Sequence, residues 1–154
     1  MIIGKILQRT AVNSWLLIVA LALTGCATGP AFEKIADIPK DKGLVYIYRP
    51  SVMHGAALVP YVVINDLNAL PLKTGGYYTY FSAPGKVTIS ITHTARRSIT
   101  FDVKAGETYY VKGGTVFMAF GIPYIESVSA EVGLKEISEC KLLPDVPGSG
   151  TQPK

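Results

Sequence analysis

The chain has 154 residues and a formal net charge of +4, a length that suits one domain of ordinary size. Its basic residues form no patch interleaved with aromatics, which argues against nucleic acid as a partner, and no G-x-x-x-x-G-K-[ST] loop is present, so nucleotide binding has no support. The two histidines and two cysteines lack ligand spacing, whereas a metal site needs three or four such side chains; no cofactor is expected.

Residues 1–9 carry Lys5 and Arg9, and an apolar run from Trp15 to Leu23 follows. That run is too short to cross a bilayer, which takes about 20 apolar residues, and Asn13 and Ser14 stop it from extending backwards. A basic start, a short apolar stretch and small residues at its exit have the layout of a secretory signal. The exit, Leu23-Thr24-Gly25-Cys26, resembles the lipobox of bacterial lipoproteins. The resemblance implies a signal peptide over residues 1–25, a diacylglycerol (and palmitate-type acyl chains) on Cys26, and Cys26 as the mature N-terminus. An ordinary signal with a chance cysteine is the alternative. Two or three acyl chains make a stable anchor. Ala27 and Thr28 stand where an Asp would favour inner-membrane retention in Gram-negative lipoproteins, so the resemblance implies the outer membrane, facing the periplasm. Cleavage would leave 129 of the 154 residues, and the charge would fall to +2 with the loss of Lys5 and Arg9.

Ala27 to Lys42, with Pro30 and Pro39, reads as a tether (residues 26–42), and residues 43–143 as the folded domain. Leu44-Val45-Tyr46-Ile47-Tyr48 is a β-branched and aromatic run that stops at Arg49-Pro50; it predicts a strand covered on both faces. Leu58 to Ile64 predicts a second strand, with Pro60 at its edge or start. Asn65-Asp66 predicts a turn, Ala69 to Lys73 a short return strand, and Tyr77 to Ser82 the next. Ala83-Pro84-Gly85-Lys86 fits a type II turn. Val87, Ile89 and Ile91 then alternate with polar residues, as do Ile99, Phe101 and Val103. The two runs, joined by a turn around Ala95-Arg96-Arg97, predict an antiparallel hairpin with one wet face. Thr108 to Lys112 predicts a strand, Ile125 to Val128 a last one, and Ser129 to Lys141 a short helix with Ser129 as N-cap, weakened by Gly133. Residues 144–154, rich in Pro and Gly, read as a disordered tail. Short strands at this spacing predict an all-β fold, a mostly antiparallel β-sandwich with a short C-terminal helix.

The succession Gly43 to Pro50, Val62-Val63-Ile64-Asn65-Asp66, Leu72 to Tyr77, Ala83-Pro84-Gly85 and Ala105 to Val111 resembles domain of unknown function family 2846, over roughly residues 40–140. Its central part is similar to a PEGA-type or transthyretin-like sandwich module. Asp66 departs from the pattern, which more often has Gly after the Asn. The resemblance implies a small, lipid-anchored bacterial envelope domain and brings no catalytic residue with it.

The residues themselves offer little chemistry. His54, His93, Asp66, Asp102 and Glu107 form no recognisable acid–base or nucleophilic grouping, and no enzyme is expected. With Cys26 acylated, Cys140 has no disulfide partner; it is either a reactive thiol or a small buried hydrophobe beside Ile137, and the second reading is favoured. Three features can carry binding. Tyr77, Tyr78 and Tyr80 share one strand and, if exposed, would stack on sugars or side chains; tyrosine is equally a good strand residue. Val116 to Ile125, with Phe117 and Phe120, is either an exposed contact loop or, as favoured, an inner strand. An open sheet edge can accept a partner strand. The expected role is a non-catalytic, lipid-anchored envelope module that binds a protein or peptidoglycan. An accessory subunit of an envelope assembly or export machine is the alternative, and an envelope enzyme is third.

Overall fold

The computed structural model describes residues 27–52, 55–67, 69–93, 95–116 and 121–144. Strand β1 (Gly43–Arg49) is buried along its whole length, as its unbroken apolar run requires. It lies at the centre of a five-stranded sheet of order β8-β7-β1-β4-β9. Here β4 is Gly76–Ser82, β7 Thr108–Val116, β8 Ile122–Val128 and β9 Lys141–Leu142. β1 pairs antiparallel with β4 and parallel with β7. A four-stranded antiparallel sheet of order β3-β2-β5-β6 packs against it. It is built from β2 (Tyr61–Ile64), β3 (Leu70–Pro71), β5 (Gly85–Thr92) and β6 (Arg96–Val103). The fold is an all-β sandwich with one short helix among the described residues, as the sequence pattern predicts.

Two cores follow from β1 having two covered faces. Val45 and Ile47 point into the space between the sheets, where they meet Val62, Ile64, Val87, Ile89 and Ile91. Leu44, Tyr46 and Tyr48 point the other way, into a second cluster with Tyr77, Tyr110 and Ile137. Helix α1 (Ala130–Ile137) and the segment before β1 roof this second face. The helix starts where expected, with the Ser129 hydroxyl accepting from the Val132 N–H, but ends at Ile137 rather than Lys141. Lys141 opens β9, so Ile125–Val128 is not the last strand; β8 also begins three residues earlier, at Ile122. Pro123 is tolerated there because β8 is an edge strand.

The stretch expected to be a free tether is instead part of the fold. Phe32 packs edge-on against Tyr46 and Tyr77, with ring centroids 5.4 and 5.3 Å away. The Ile35 N–H donates to the Tyr46 hydroxyl at 2.9 Å, and the Phe32 N–H to the Cys140 carbonyl at 3.0 Å. The reason is the uncovered apolar face of the sheet: α1 is only eight residues long, and Phe32, Ile35 and Ile38 pack on the cluster beneath it.

Strand β2 begins after Pro60, whose carbonyl accepts from the Leu72 N–H at 2.8 Å. Asn65 and Asp66 hold φ of 47° and 57°, the left-handed geometry that lets Asn and Asp serve as turn residues. Gly85 takes a positive φ of 135° and already pairs with Val103 as the first residue of β5. The β5–β6 hairpin alternates as predicted, with one difference: Arg96 and Arg97 belong to β6, pairing with Thr92 and Ile91. On its outer face the Thr88 and Thr100 hydroxyls lie 2.9 Å apart and those of Ser90 and Ser98 3.0 Å apart. The Arg96 guanidinium, 3.0 Å from the Ser90 hydroxyl, helps to bury Ser90 (1% exposed). Of residues 144–154, read as a tail, all but Pro144 lie outside the described residues.

Candidate functional site

Of the tyrosines expected to form a binding surface, Tyr77 and Tyr78 are 4% and 3% exposed. They are consecutive on β4, so they point to opposite faces: Tyr77 enters the cluster under α1, and Tyr78 enters the space between the sheets, as does the half-buried Tyr80. The Tyr78 hydroxyl is satisfied by the Pro71 carbonyl at 2.9 Å. These rings are core, and the expectation of a stacking surface at Tyr77 and Tyr78 is corrected. Both faces of β4 are covered where Tyr77 and Tyr78 sit, so these two rings have no solvent side. Phe117 and Phe120 lie outside the described residues, as does His54. On either side of Phe117–Phe120, Val116 and Ile122 are exposed (47% and 42%) and pair with each other at the end of the β7–β8 hairpin. Pro123 is buried and Ile125 packs on the core, so the apolar stretch is inner at one end and outer at the other.

Asp102 and Glu107 are exposed. Asp66 is ion-paired to Arg96 at 2.8 Å, with both side chains largely in solvent. Among the described residues no three His, Cys, Asp or Glu side chains converge as a metal site would require. Cys140 is 1% exposed. Burial, reinforced by Glu139 and Glu136, pushes its thiol up to about 12, so it packs beside Ile137 as a small apolar group.

The structure reveals two polar groupings that the sequence did not suggest. The first is Arg49, at the end of β1 and 1% exposed. Its Nη1 donates to the Leu58 carbonyl at 2.6 Å and the Leu72 carbonyl at 3.3 Å. Its Nη2 donates to the Gly55 carbonyl at 2.8 Å and the Thr115 hydroxyl at 3.4 Å. Among the described residues no carboxylate pairs with it, and its Nε is without a hydrogen-bond partner. The second is Glu136 on α1. It accepts from the Tyr48 hydroxyl at 2.6 Å and from the Lys112 ammonium at 2.7 Å, tying the helix to β1 and β7. Burial pushes the Glu136 carboxyl up, but the two hydrogen bonds outweigh it and hold the group below its ordinary value. The hydrogen bond to Glu136 raises Lys112.

The Glu136 cluster has a pH signature. A depressed carboxyl stabilises the fold above its unfolded value of about 4.3 and loses that contribution as pH falls through the lower folded value. Lys112, raised, contributes fully below about 10.4 and loses its share only as pH climbs past that. Glu136→Gln is therefore expected to lower stability by about 1–2 kcal/mol at neutral pH. In thermal melts across pH the gap from wild type should close at acid pH, below the ordinary carboxylate range. A gap that persisted there would mean that Glu136 acts through packing alone.

A groove of about 500 Å³ runs between residues 30–37 and the β4–β9 edge of the larger sheet, lined by Glu33, Ile35, Asp37, Tyr77, Thr79 and Leu142 among others. Its walls mix apolar side chains with exposed charges, and it holds no paired nucleophile and base.

A family described as "Protein of unknown function (DUF2846)" matches over residues 39–120, from just before β1 to just past β7. A search of curated proteins gives no match. With more than half of its length matched, including β1 and the β5–β6 hairpin, the chain belongs to DUF2846.

Proposed function

We propose that the chain is a non-catalytic, lipid-anchored binding module of the bacterial envelope. In this reading it is processed at Cys26, held at the outer membrane facing the periplasm, and engages a protein partner through its open groove and loops. One observation carries the reading. Ala27, directly after the lipobox-like Leu23-Thr24-Gly25-Cys26, is 8% exposed within the core, and its N–H donates to the Thr74 carbonyl at 3.2 Å. The fold thus reaches to within one residue of Cys26, so a lipid there would sit directly at the end of the sandwich. That end holds Arg49, Thr74 and Gly76. It also presents Val52, whose N–H donates to the Thr74 hydroxyl, together with Val116 and Ile122, all exposed. Exposed apolar side chains beside an acyl anchor suit a face that rests on lipid. The principal buried polar groups are engaged in holding the fold together: Arg49 on backbone carbonyls, Glu136 on Lys112 and Tyr48. Among the described residues no helix is long and apolar enough to cross a membrane. The burial of Tyr77 and Tyr78 favours a protein partner over peptidoglycan stacking.

Cys26→Ser is expected to move the protein from the membrane fraction into the soluble fraction of fractionated cells. A variant that stays membrane-bound and unprocessed would identify the apolar run as the anchor and overturn the lipid reading. Co-purification from gently crosslinked envelopes tests the binding half. A partner lost when groove residues Glu33 and Asp37 are replaced by lysine supports it, and one retained refutes the groove.

A further inference from the structure

Strand β6 is an edge of the four-stranded sheet, hydrogen-bonded only to β5, with β8 of the other sheet packed alongside it. Which of its backbone groups are free follows from the ladder. Thr88 bonds across to Asn65 on the β2 side, through the Asn65 N–H to its carbonyl and its own N–H to the Asn65 side chain. The even-numbered residues of β5 therefore face β2, and the odd-numbered ones face β6. In β6 it is then Arg97, Ile99, Phe101 and Val103 that bond β5. The N–H and C=O groups of Arg96, Ser98, Thr100 and Asp102 point away from the sheet. All four of these residues are exposed, and β6 runs for eight residues. Long open edges are normally shortened, bulged, covered or protected by charged side chains. This one carries opposite charges at its two ends.

We propose that β6 is a self-association edge: two copies of the chain pair β6 to β6 antiparallel about a two-fold axis at Ile99, joining their four-stranded sheets into one continuous sheet. Three registers engage at least three of the four residues with free backbone groups. One centred on Thr100 sets Arg96 against Lys104, a repulsive pair. One centred on Ser98 leaves Arg96 opposite Thr100. The register centred on Ile99 sets Arg96 opposite Asp102 of the second copy, twice by symmetry, and Ser98 opposite Thr100. It makes about eight backbone hydrogen bonds and extends the Thr88–Thr100 and Ser90–Ser98 hydroxyl rows across the junction. A parallel pairing in register would set Arg96 beside its own copy. Arg96 is available for the new contact because its present partner, Asp66, is 80% exposed and such surface pairs are worth little. The proposal stands apart from lipidation, which it does not require.

The test uses the full chain, purified from whichever cell fraction holds it. Wild type is expected to run as a dimer by light scattering. Under oxidising conditions, Ile99→Cys in the purified chain is expected to form an intermolecular disulfide, since the central non-bonded pair has a Cα separation of about 4.5 Å, inside the disulfide range of about 4.4–6.8 Å. Thr100→Cys, whose own copy would lie on the diagonal at about 7–8 Å, is expected not to. Asp102→Arg should weaken the dimer about tenfold or more by facing Arg96 with like charge, and adding Arg96→Asp should restore it. A monomer at all micromolar concentrations, or crosslinking through Thr100→Cys in preference to Ile99→Cys, would overturn the proposal. Unchanged far-ultraviolet circular dichroism of the charge variants keeps loss of pairing distinct from loss of fold.

Discussion

Arg49→Ala is expected to be among the most destabilising single substitutions in the domain, lowering stability by about 3–5 kcal/mol. The guanidinium sits where β1 ends and the chain turns into the loop before β2. There it draws together the carbonyls of Gly55, Leu58 and Leu72 and the hydroxyl of Thr115. These acceptors come from the 50–60 loop, the segment after β3, and β7, so one side chain ties both sheets at one end of the sandwich. Removal leaves a cavity the size of an arginine and several inward-facing acceptors without donors. Three of those acceptors are backbone, so no second substitution can remove them. For that reason Arg49→Met, which keeps most of the volume, is expected to recover only the packing part of the loss. Arg49→Lys keeps the charge but cannot fork to carbonyls on two sides and should fall between. Thermal midpoints give the measurement, with a drop of about 10–20 °C expected for the alanine variant of a domain this size. If Met matched wild type, the carbonyls would be satisfied without Arg49, and its role would reduce to filling space.

The β5–β6 hairpin was readable in the sequence because one of its faces is wet. Solvent on one side imposes a two-residue alternation, which Val87, Ile89 and Ile91 and then Ile99, Phe101 and Val103 display. β1 was readable for the opposite reason, since a strand covered on both faces has no polar residues to alternate with. That same covering hid the fate of the tyrosines. In Tyr77-Tyr78 both residues are buried, one to each side, and nothing local distinguishes such a pair from two rings on a surface. The tether was misread because Phe32, Ile35 and Ile38 are spread among Glu33, Lys34 and Asp37. Their common destination becomes visible only once the five-stranded sheet presents an apolar face that α1 cannot cover alone. The parallel pairing of β1 with β7 joins segments some 60 residues apart, a separation at which pattern carries no information about partners. Arg49 closed a buried run in the sequence and was read as its end. Its role depends on where three distant carbonyls come to rest.

Gly133 shows the same limit with a sign that can be measured. From the sequence it weakens a helix, and Gly→Ala inside a helix ordinarily gains about 1 kcal/mol. In the structure a Cβ at Gly133 would lie 2.4 Å from Cγ and 2.5 Å from Cβ of Tyr110. Those atoms are the root of the side chain and cannot swing aside, and the ring itself stacks on Tyr46 with centroids 5.4 Å apart. The helix crosses β7 at a distance that only glycine permits. Gly133→Ala is therefore expected to destabilise by about 1–3 kcal/mol, reversing the propensity effect, and Gly133→Leu by more. Lifting the helix would also stretch the Glu136 contacts to Tyr48 and Lys112 and unseal Cys140, whose thiol donates to the Glu136 carbonyl. Faster labelling of Cys140 by a thiol reagent in Gly133→Ala is thus a second readout. A double-mutant cycle with Tyr110→Ala isolates the cause. The two losses should be strongly non-additive, because with the ring removed the added methyl has room and the helix propensity gain returns. Additive losses, or a Gly133→Ala protein more stable than wild type, would mean that α1 tolerates displacement and that the close approach to Tyr110 is incidental to the roof over the second core.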